Sequence, residues 1–511
     1  MAGKVCAPEY ASAGPMLNHD PKVSTLRSAT FREFILLPRT TRPEHALSAV
    51  SLETRVAEGF PLSIPFMSAA MESVTGDELS IALALHGGLG ILPAGRVEME
   101  AQLDYVKKVK AHTGGFHPHN QSVRPDTSLK EVDELEERLG YSSFPVLDEK
   151  GKMFGVISSR DYDPRSDLGL KAKDKMRPLE DLVVYSVDEP RSKVIDALFH
   201  GGHDRGYLID SDGVLQGLVT RKGVKDELRF RGASRDADGR LQVGVAISTH
   251  PEDRERAEEC VKAGADLISV DASDGFSEYM RDTVIFAKQL GVPVVAGNVV
   301  SRESFEYLAA CGADAVKIGI GSGSICTTRR VKAIGRGQAT AVREVAMARD
   351  EYVKRSGKYI PIISDGGLAG TGDMSVALAM GADVLMMGRY FAAYTESPTL
   401  AYEKKFWVSS SGGTFQVAAT VKPYWGEASA RAKNVRRYQQ NDPRTFVVEG
   451  EEGYVLLKGS LHEFLPKDLK AIAGTLSSCG CANLEEFRND VILERQSVGS
   501  QEEGGTSILL V

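Results

Sequence analysis

Residues 256–273 read RAEECVKAGADLISVDAS: an amphipathic stretch, a Gly-Ala-Asp break and a short apolar run. The same order recurs in ESFEYLAACGADAVKIGIG at 303–321 and in MSVALAMGADVLMMGRY at 374–390. Each copy predicts a helix, a glycine stop and a buried strand, which is the repeating unit of a parallel α/β sheet. Other apolar runs ending in Gly, Ser, Asp or Asn bring the set to eight: IPFMSAA at 64–70, LGILPA at 89–94, LQVGVAI at 241–247, LISVD at 267–271, VPVVAGN at 292–298, AVKIGI at 315–320, IPIISDG at 360–366 and VLMMGR at 384–389. Eight parallel strands close an α/β fold of the (β/α)8 TIM-barrel type, with a doubly wound sheet as the alternative. Residues just after barrel strands line the active face. Asp271, Asn298, the loop from Gly321, Asp365 and Gly388 are therefore expected to be neighbours.

A length of 511 residues accommodates such a barrel with an insertion and excludes a single small binding module. With Lys plus Arg 62 against Asp plus Glu 70, the net charge is −8, and the charge is spread along the chain, so no basic nucleic-acid footprint is expected. The six cysteines are too uneven for a secreted disulfide framework, which suggests a reducing compartment. Met1 to Asp20 holds no apolar core of signal-peptide length, and no run approaches a membrane span. A soluble, cytoplasmic protein is the expectation.

Between the second and third strands the barrel rhythm fails. This stretch carries its own duplication, FPVLDEKGKMFGVISSRDY at 144–162 and GYLIDSDGVLQGLVTRKGV at 206–224. Each half is a strand, an Asp- and Gly-rich turn, a second strand and a polar helix start. The expected division is barrel over 1–114, inserted module over 115–231 and barrel again over 232–511. The halves resemble tandem CBS-domain repeats, a resemblance that implies a purine nucleotide effector. Ser158 and Asp161 match that pattern in the first half; in the second, Thr220 is kept but Gly223 stands where the ribose-contacting Asp is expected. After the last strand, 394–454 lacks helical periodicity and contains SSSGGT and QQNDPRT. A long segment of weak structure placed over the active face predicts a functional lid.

The most informative segment is GIGSGSICTTRRVKAIGRGQATAV, 319–342. Small residues let backbone approach a ligand, and the single Cys326 on such a loop is placed as a nucleophile. Cys260 and Cys311 read instead as small buried hydrophobes, and Cys479-Gly480-Cys481, with no nearby His, as structural.

GSGSICTTR with GRGQATAV resembles the catalytic loop of the inosine-5′-monophosphate dehydrogenase family. SDGG at 364–367, MGRY at 387–390 and YWGE at 424–427 resemble its nucleotide-binding segments. The resemblance covers essentially the whole chain. It implies oxidation of IMP to xanthosine monophosphate with NAD as hydride acceptor, through attack of Cys326 on purine C2 and hydrolysis of the adduct. It implies Arg437 and Tyr438 as the water-activating pair of the lid, with Thr328 and Glu449 as a second proton route. Met71, Ser324, Asp365, Gly366, Gly367, Gly388, Arg389, Tyr424 and Glu427 would bind the nucleotide. Asp271, Ser273, Asn298, Gly319 and Gly321 would contact NAD. It also implies a K+ ion on carbonyls of Gly321, Gly323 and Cys326, completed by Glu503, Gly504 and Gly505 of a neighbouring subunit in a homotetramer. GMP reductase, which lacks the hydrolytic lid, is the nearest rival. A catalytically silent nucleotide sensor is a second.

Overall fold

The computed structural model describes residues 27–94, 98–112, 115–117, 121–139, 143–410, 413–432 and 447–505. The barrel strands are β1 (Phe66–Ser68), β2 (Ile91–Leu92), β3 (Gly244–Ile247), β4 (Leu267–Asp271), β5 (Val294–Val299), β6 (Ala315–Ile318), β7 (Ile362–Asp365) and β8 (Val384–Met387). All neighbours pair in parallel, and the strand order runs from β1 through β8 and back down to β2. The ring closes where Leu89, just before β2, bridges Met67: Ser68 N donates to Leu89 O at 3.1 Å and Leu89 N to Phe66 O at 3.1 Å. Seven of the eight apolar runs contain one of these strands, and β5 runs one residue past the eighth, to Val299.

The Gly-Ala-Asp repeat now has a physical cause. Gly264, Gly312 and Gly381 have φ of +105°, +93° and +114°, the left-handed conformation that ends the preceding helix without a Cβ penalty. Each following Asp then staples its strand to the one before it. Asp266, Asp314 and Asp383 accept through Oδ2 from the backbone N of Val243, Val294 and Ile362 at 2.9, 2.8 and 2.9 Å. Each is also paired with a cation: Lys110 at 2.8 Å, Lys288 at 2.6 Å and Arg349 at 2.9 Å. Every staple lies at the N-terminal end of its strand, the end that carries stability in this architecture. The same end is filled by a hairpin, Thr54–Ala57 and Phe60–Leu62, whose Val56, Ala57, Phe60 and Leu62 pack with inward-facing Met67, Ile91, Ala246, Leu267, Val295, Ala315, Ile363 and Val384.

After β2 the chain runs through helix α1 (Met99–Lys110) into the insertion. Two small sheets form there, one of Phe116–His117, Val184–Ser186, Arg205–Ile209 and Leu215–Thr220, the other of Ser143–Leu147, Met153–Ser158 and Arg177–Pro178. The Gly at 223 is explained by packing. It lies in α2 (Arg221–Arg229), and a Cβ there would sit 2.5 Å from the Cα of Gly115, where the chain enters the module. In the other half, Asp161 Oδ2 accepts from Ser158 N at 2.7 Å and Ser158 Oγ at 2.6 Å, and Arg177 lies 3.4 Å from its other oxygen.

The expectation of weak structure over 394–454 is corrected. Strands β9 (Tyr402–Ser410) and β10 (Gly413–Trp425) form a long antiparallel hairpin, and β11 (Glu452–Leu456) adds to β10. Alternation along β9 is masked because both faces mix charge with aromatics: Tyr402, Lys404 and Phe406 lie on one, Glu403, Lys405 and Trp407 on the other. Trp407 is 72% exposed, so no apolar face marks the strand. Arg437 and Tyr438 fall outside the described residues. Among the described residues no helix is long and apolar enough to cross a membrane. Cys260, Cys479 and Cys481 are buried free thiols, while Cys311 is half-buried, less enclosed than expected. Glu503 ends helix α4 (Val498–Glu503) and Gly504 caps it.

Candidate active site

Because side chains alternate along a strand, Asp271, Asn298 and Asp365, at the ends of β4, β5 and β7, project at the C-terminal mouth of the barrel. There Asn298 Nδ2 donates to Asp365 Oδ2 at 2.7 Å and to the Gly319 carbonyl at 2.8 Å. Burial raises the Asp365 carboxyl above its ordinary value, against the opposing effects of Lys317 and the Asn298 hydrogen bond. Gln338, first residue of helix α3 (Gln338–Ser356), donates through Nε2 to the carbonyls of Ile318 at 2.6 Å and Asp365 at 3.1 Å. Ser322 Oγ donates to the Asp365 carbonyl at 2.7 Å and Gly367 N to the Ser322 carbonyl at 3.1 Å. Gly366 and Gly367 have φ of +80° and +73°, and a Cβ on Gly366 would meet Ser322 Oγ at 2.8 Å. The SDGG turn and the cysteine loop are thus fitted backbone to backbone.

Cys326 is exposed at the crest of its loop, with Sγ 3.1 Å from Thr328 Oγ1. Thr328 is buried and donates to Glu449 Oε2 at 3.1 Å, while Lys332 Nζ lies 2.7 Å from Glu449 Oε1. Glu449 is 121 residues from Thr328 in sequence. Its register is held by backbone: Thr327 N donates to Glu449 O at 2.8 Å, Glu449 N to Ala428 O at 3.0 Å, and Glu451 N to Ile325 O at 2.9 Å. A thiol, a hydroxyl and a carboxylate therefore stand in line, able to carry a proton away from sulfur.

Across the mouth, Gly388 meets Met71 and Tyr424: a Cβ on Gly388 would lie 3.0 Å from Met71 Sδ and 3.0 Å from Tyr424 Oη. Tyr424 is buried, which raises its phenol above the ordinary value, while the hydroxyl of Ser324 and the charge of Arg389 work in the opposite direction. Glu427 Oε1 accepts from Glu72 N at 2.8 Å. Asp271 ends β4, where Ser269 Oγ donates to it at 3.0 Å and Lys317 pairs with it, while Ser273 is exposed on the loop beyond. Sequence reasoning overlooked Lys317 and Gln338. The signal for Lys317 was a lysine inside the otherwise apolar AVKIGI; Gln338, in GRGQATAV, was read only as part of a motif.

Substitution Gly388→Ala is expected to destabilise the fold by roughly 1–3 kcal/mol and to raise the KM for whatever ligand the mouth takes about tenfold, since its Cβ must displace Met71 or Tyr424. Steady-state kinetics beside a denaturation curve would check this. An unchanged KM would remove Gly388 from the site.

A family profile described as IMP dehydrogenase / GMP reductase domain matches residues 28–506. The chain is 35% identical over 497 residues to the inosine-5′-monophosphate dehydrogenase of Tritrichomonas foetus, covering 94% of this chain and 96% of that one. It is 34% identical over 483 residues to the Escherichia coli K12 protein of the same name, covering 93% and 94%. Among solved structures, a GMP reductase variant from Trypanosoma brucei in complex with guanosine 5′-monophosphate superposes with a TM-score of 0.82 at 27% identity, covering 96% of this chain and 100% of that one. The same organism's enzyme in complex with guanosine 5′-triphosphate gives 0.74 at 25% identity, covering 93% and 99%.

Proposed function

The chain belongs to the IMP dehydrogenase / GMP reductase family, and from that premise we propose that it oxidises IMP to xanthosine 5′-monophosphate with NAD, a step toward guanine nucleotides. The observation that carries the chemistry is the Cys326–Thr328–Glu449 line. Cys326 attacks purine C2, its proton passing to Thr328 as the Thr328 proton passes to Glu449, and once Glu449 has released that proton the same pair is the second proton route for the hydrolytic water. NAD, which Asp271, Ser273, Asn298, Gly319 and Gly321 would hold, would supply the acceptor for the C2 hydride. The remaining thioimidate on Cys326 is cleaved by water, releasing the product and restoring the thiol. Asp365 accepts the ribose hydroxyls, and the Gly366-Gly367 and Gly388-Arg389 turns with Ser324 and Tyr424 take the phosphate, as loops after strands seven and eight do in this fold. Met71 lies under the base. Asp271, Ser273, Asn298, Gly319 and Gly321 are read as the NAD side.

Arg437 and Tyr438 are assigned to the hydrolytic step. A guanidinium is almost always charged, so stabilising a developing hydroxide describes Arg437 better than removing a proton. In Arg437→Ala, hydrolysis is expected to slow far more than hydride transfer. Rapid mixing would then show a burst of NADH and a covalent nucleotide adduct by mass. Equal losses in both steps would take Arg437 out of that role.

A K+ ion is assigned to the carbonyls of Gly321, Gly323 and Cys326, on a loop that turns through Gly321 at φ +75° and closes with Cys326 N donating to the Gly323 carbonyl at 3.1 Å. Carbonyl oxygens suit a hard cation. Glu503, Gly504 and Gly505 of a second copy in a homotetramer would complete the site. The 115–231 module is read as a CBS pair with a purine nucleotide effector, only its first half keeping the ribose acidic residue.

The second reading, GMP reductase, is favoured by the solved structures at 25–27% identity; the curated relatives at 31–35% favour the dehydrogenase. NADH formation from IMP, set against NADPH consumption with GMP, decides between them, and neither activity would leave the nucleotide-sensor reading.

A further inference from the structure

We infer that Lys317 is a positioning residue shared by the two halves of the site: its ammonium holds the Asp271 side chain and faces that of Asp365, so mononucleotide and dinucleotide binding depend on one buried cation. The inference rests on the functional reading above, in which Asp365 receives the ribose and Asp271 the nicotinamide half.

Lys317 lies on β6 between Val316 and Ile318, which pack outward against the helices, so its own side chain points into the barrel. The side chain is 3% exposed. It reaches Asp271, two strands away, because the strand between carries Gly297 at that level: a Cβ there would lie 2.6 Å from Lys317 Cβ. On β4, Asp271 Oδ1 pairs with Lys317 Nζ and accepts from Ser269 Oγ at 3.0 Å. On β7, Asp365 lies within electrostatic reach of both Lys317 and Asp271, the first favouring its charge and the second opposing it. From β5 the facing group is neutral Asn298, 2.7 Å from Asp365. A methionine would fill the same space without the cost of burying an ammonium. Core filling therefore does not account for a cation here, whereas two carboxylates on adjoining ligand surfaces do.

The test uses the full chain with IMP, GMP and NAD as separate calorimetric probes across about pH 6 to 9. In Lys317→Met, mononucleotide Kd is expected to rise about tenfold, the size of a through-space charge interaction lost inside the protein rather than of a hydrogen bond. That loss should be greatest at low pH and recover as pH rises, because Asp365, left facing Asp271 with no cation, holds its proton longer. NAD binding should weaken as well. Adding Asp271→Asn to that variant should restore much of the mononucleotide affinity and none of the NAD affinity, and Lys317→Arg should keep wild-type pH behaviour. Should Lys317→Met not fold, the Arg and double variants carry the same comparison. A pH-independent loss that the double variant leaves in place would reduce Lys317 to a structural residue, and unchanged binding would overturn the inference outright. Either purine 5′-mononucleotide serves as probe, so a wild type that forms no NADH would overturn the proposed reaction while this comparison still judges Lys317.

Discussion

In Cys326→Ala, turnover of IMP is expected to fall about 10³-fold or more, because the covalent adduct of the proposed reaction would form on this thiol. Neither Thr328 nor Glu449 can replace it: both are buried behind the sulfur, at successive hydrogen-bond steps of 3.1 Å. The alanine removes only an exposed thiol, so the loop should keep its register through Cys326 N to Gly323 O at 3.1 Å and Glu451 N to Ile325 O at 2.9 Å. IMP affinity, measured by calorimetry, should change little, so the effect belongs to chemistry rather than binding. A variant that keeps a tenth of wild-type activity would sink the nucleophile assignment.

The second large effect concerns stability. Asp383→Ala is expected to destabilise the barrel by about 3–5 kcal/mol, the cost of leaving a buried charge without its partner. Asp383 side chain is 2% exposed and Arg349 4%, at 2.9 Å. The same carboxylate also accepts from Ile362 N at 2.9 Å and Tyr359 Oη at 2.7 Å, and Arg488 lies 3.2 Å away. Asp314→Ala, whose Lys288 partner is 38% exposed, should cost much less, since solvent screens that pair and can rehydrate the lysine. Urea midpoints of the two variants would check the order. An equal cost at both sites would show that the backbone bond, common to all three staples, outweighs the ion pair.

The three Gly-Ala-Asp copies make the barrel legible in sequence because their cause is local. A left-handed Gly must end the helix, and an Asp one residue before the strand reaches the neighbouring strand wherever that unit repeats. Cys326 was legible for a similar reason, since glycines and serines crowd around a single thiol within one loop. Glu449 owes its place to something else: the antiparallel bridge of Cys326 with Gly450, a pairing between segments more than a hundred residues apart.

The hairpin β9–β10 shows where reading by periodicity stops. Its strands are held by backbone pairing from Tyr402 with Val421 to Ser410 with Gly413, and cross-strand hydrogen bonds do not depend on an apolar side-chain pattern. Lys317 marks the opposite limit. Its strand was correctly placed from apolar residues, yet nothing local says that Gly297 leaves room for its stem or that Asp271 and Asp365 await its charge. Sequence alone determined the barrel elements, their order and the cysteine loop, because helix stops, strand runs and small-residue loops are set by neighbours within a few residues. Tertiary structure decided which carboxylates face which cations and which carboxylate stands behind the thiol. Those partners lie on different strands, and only closure of the barrel brings them within the few ångströms over which a buried charge is felt.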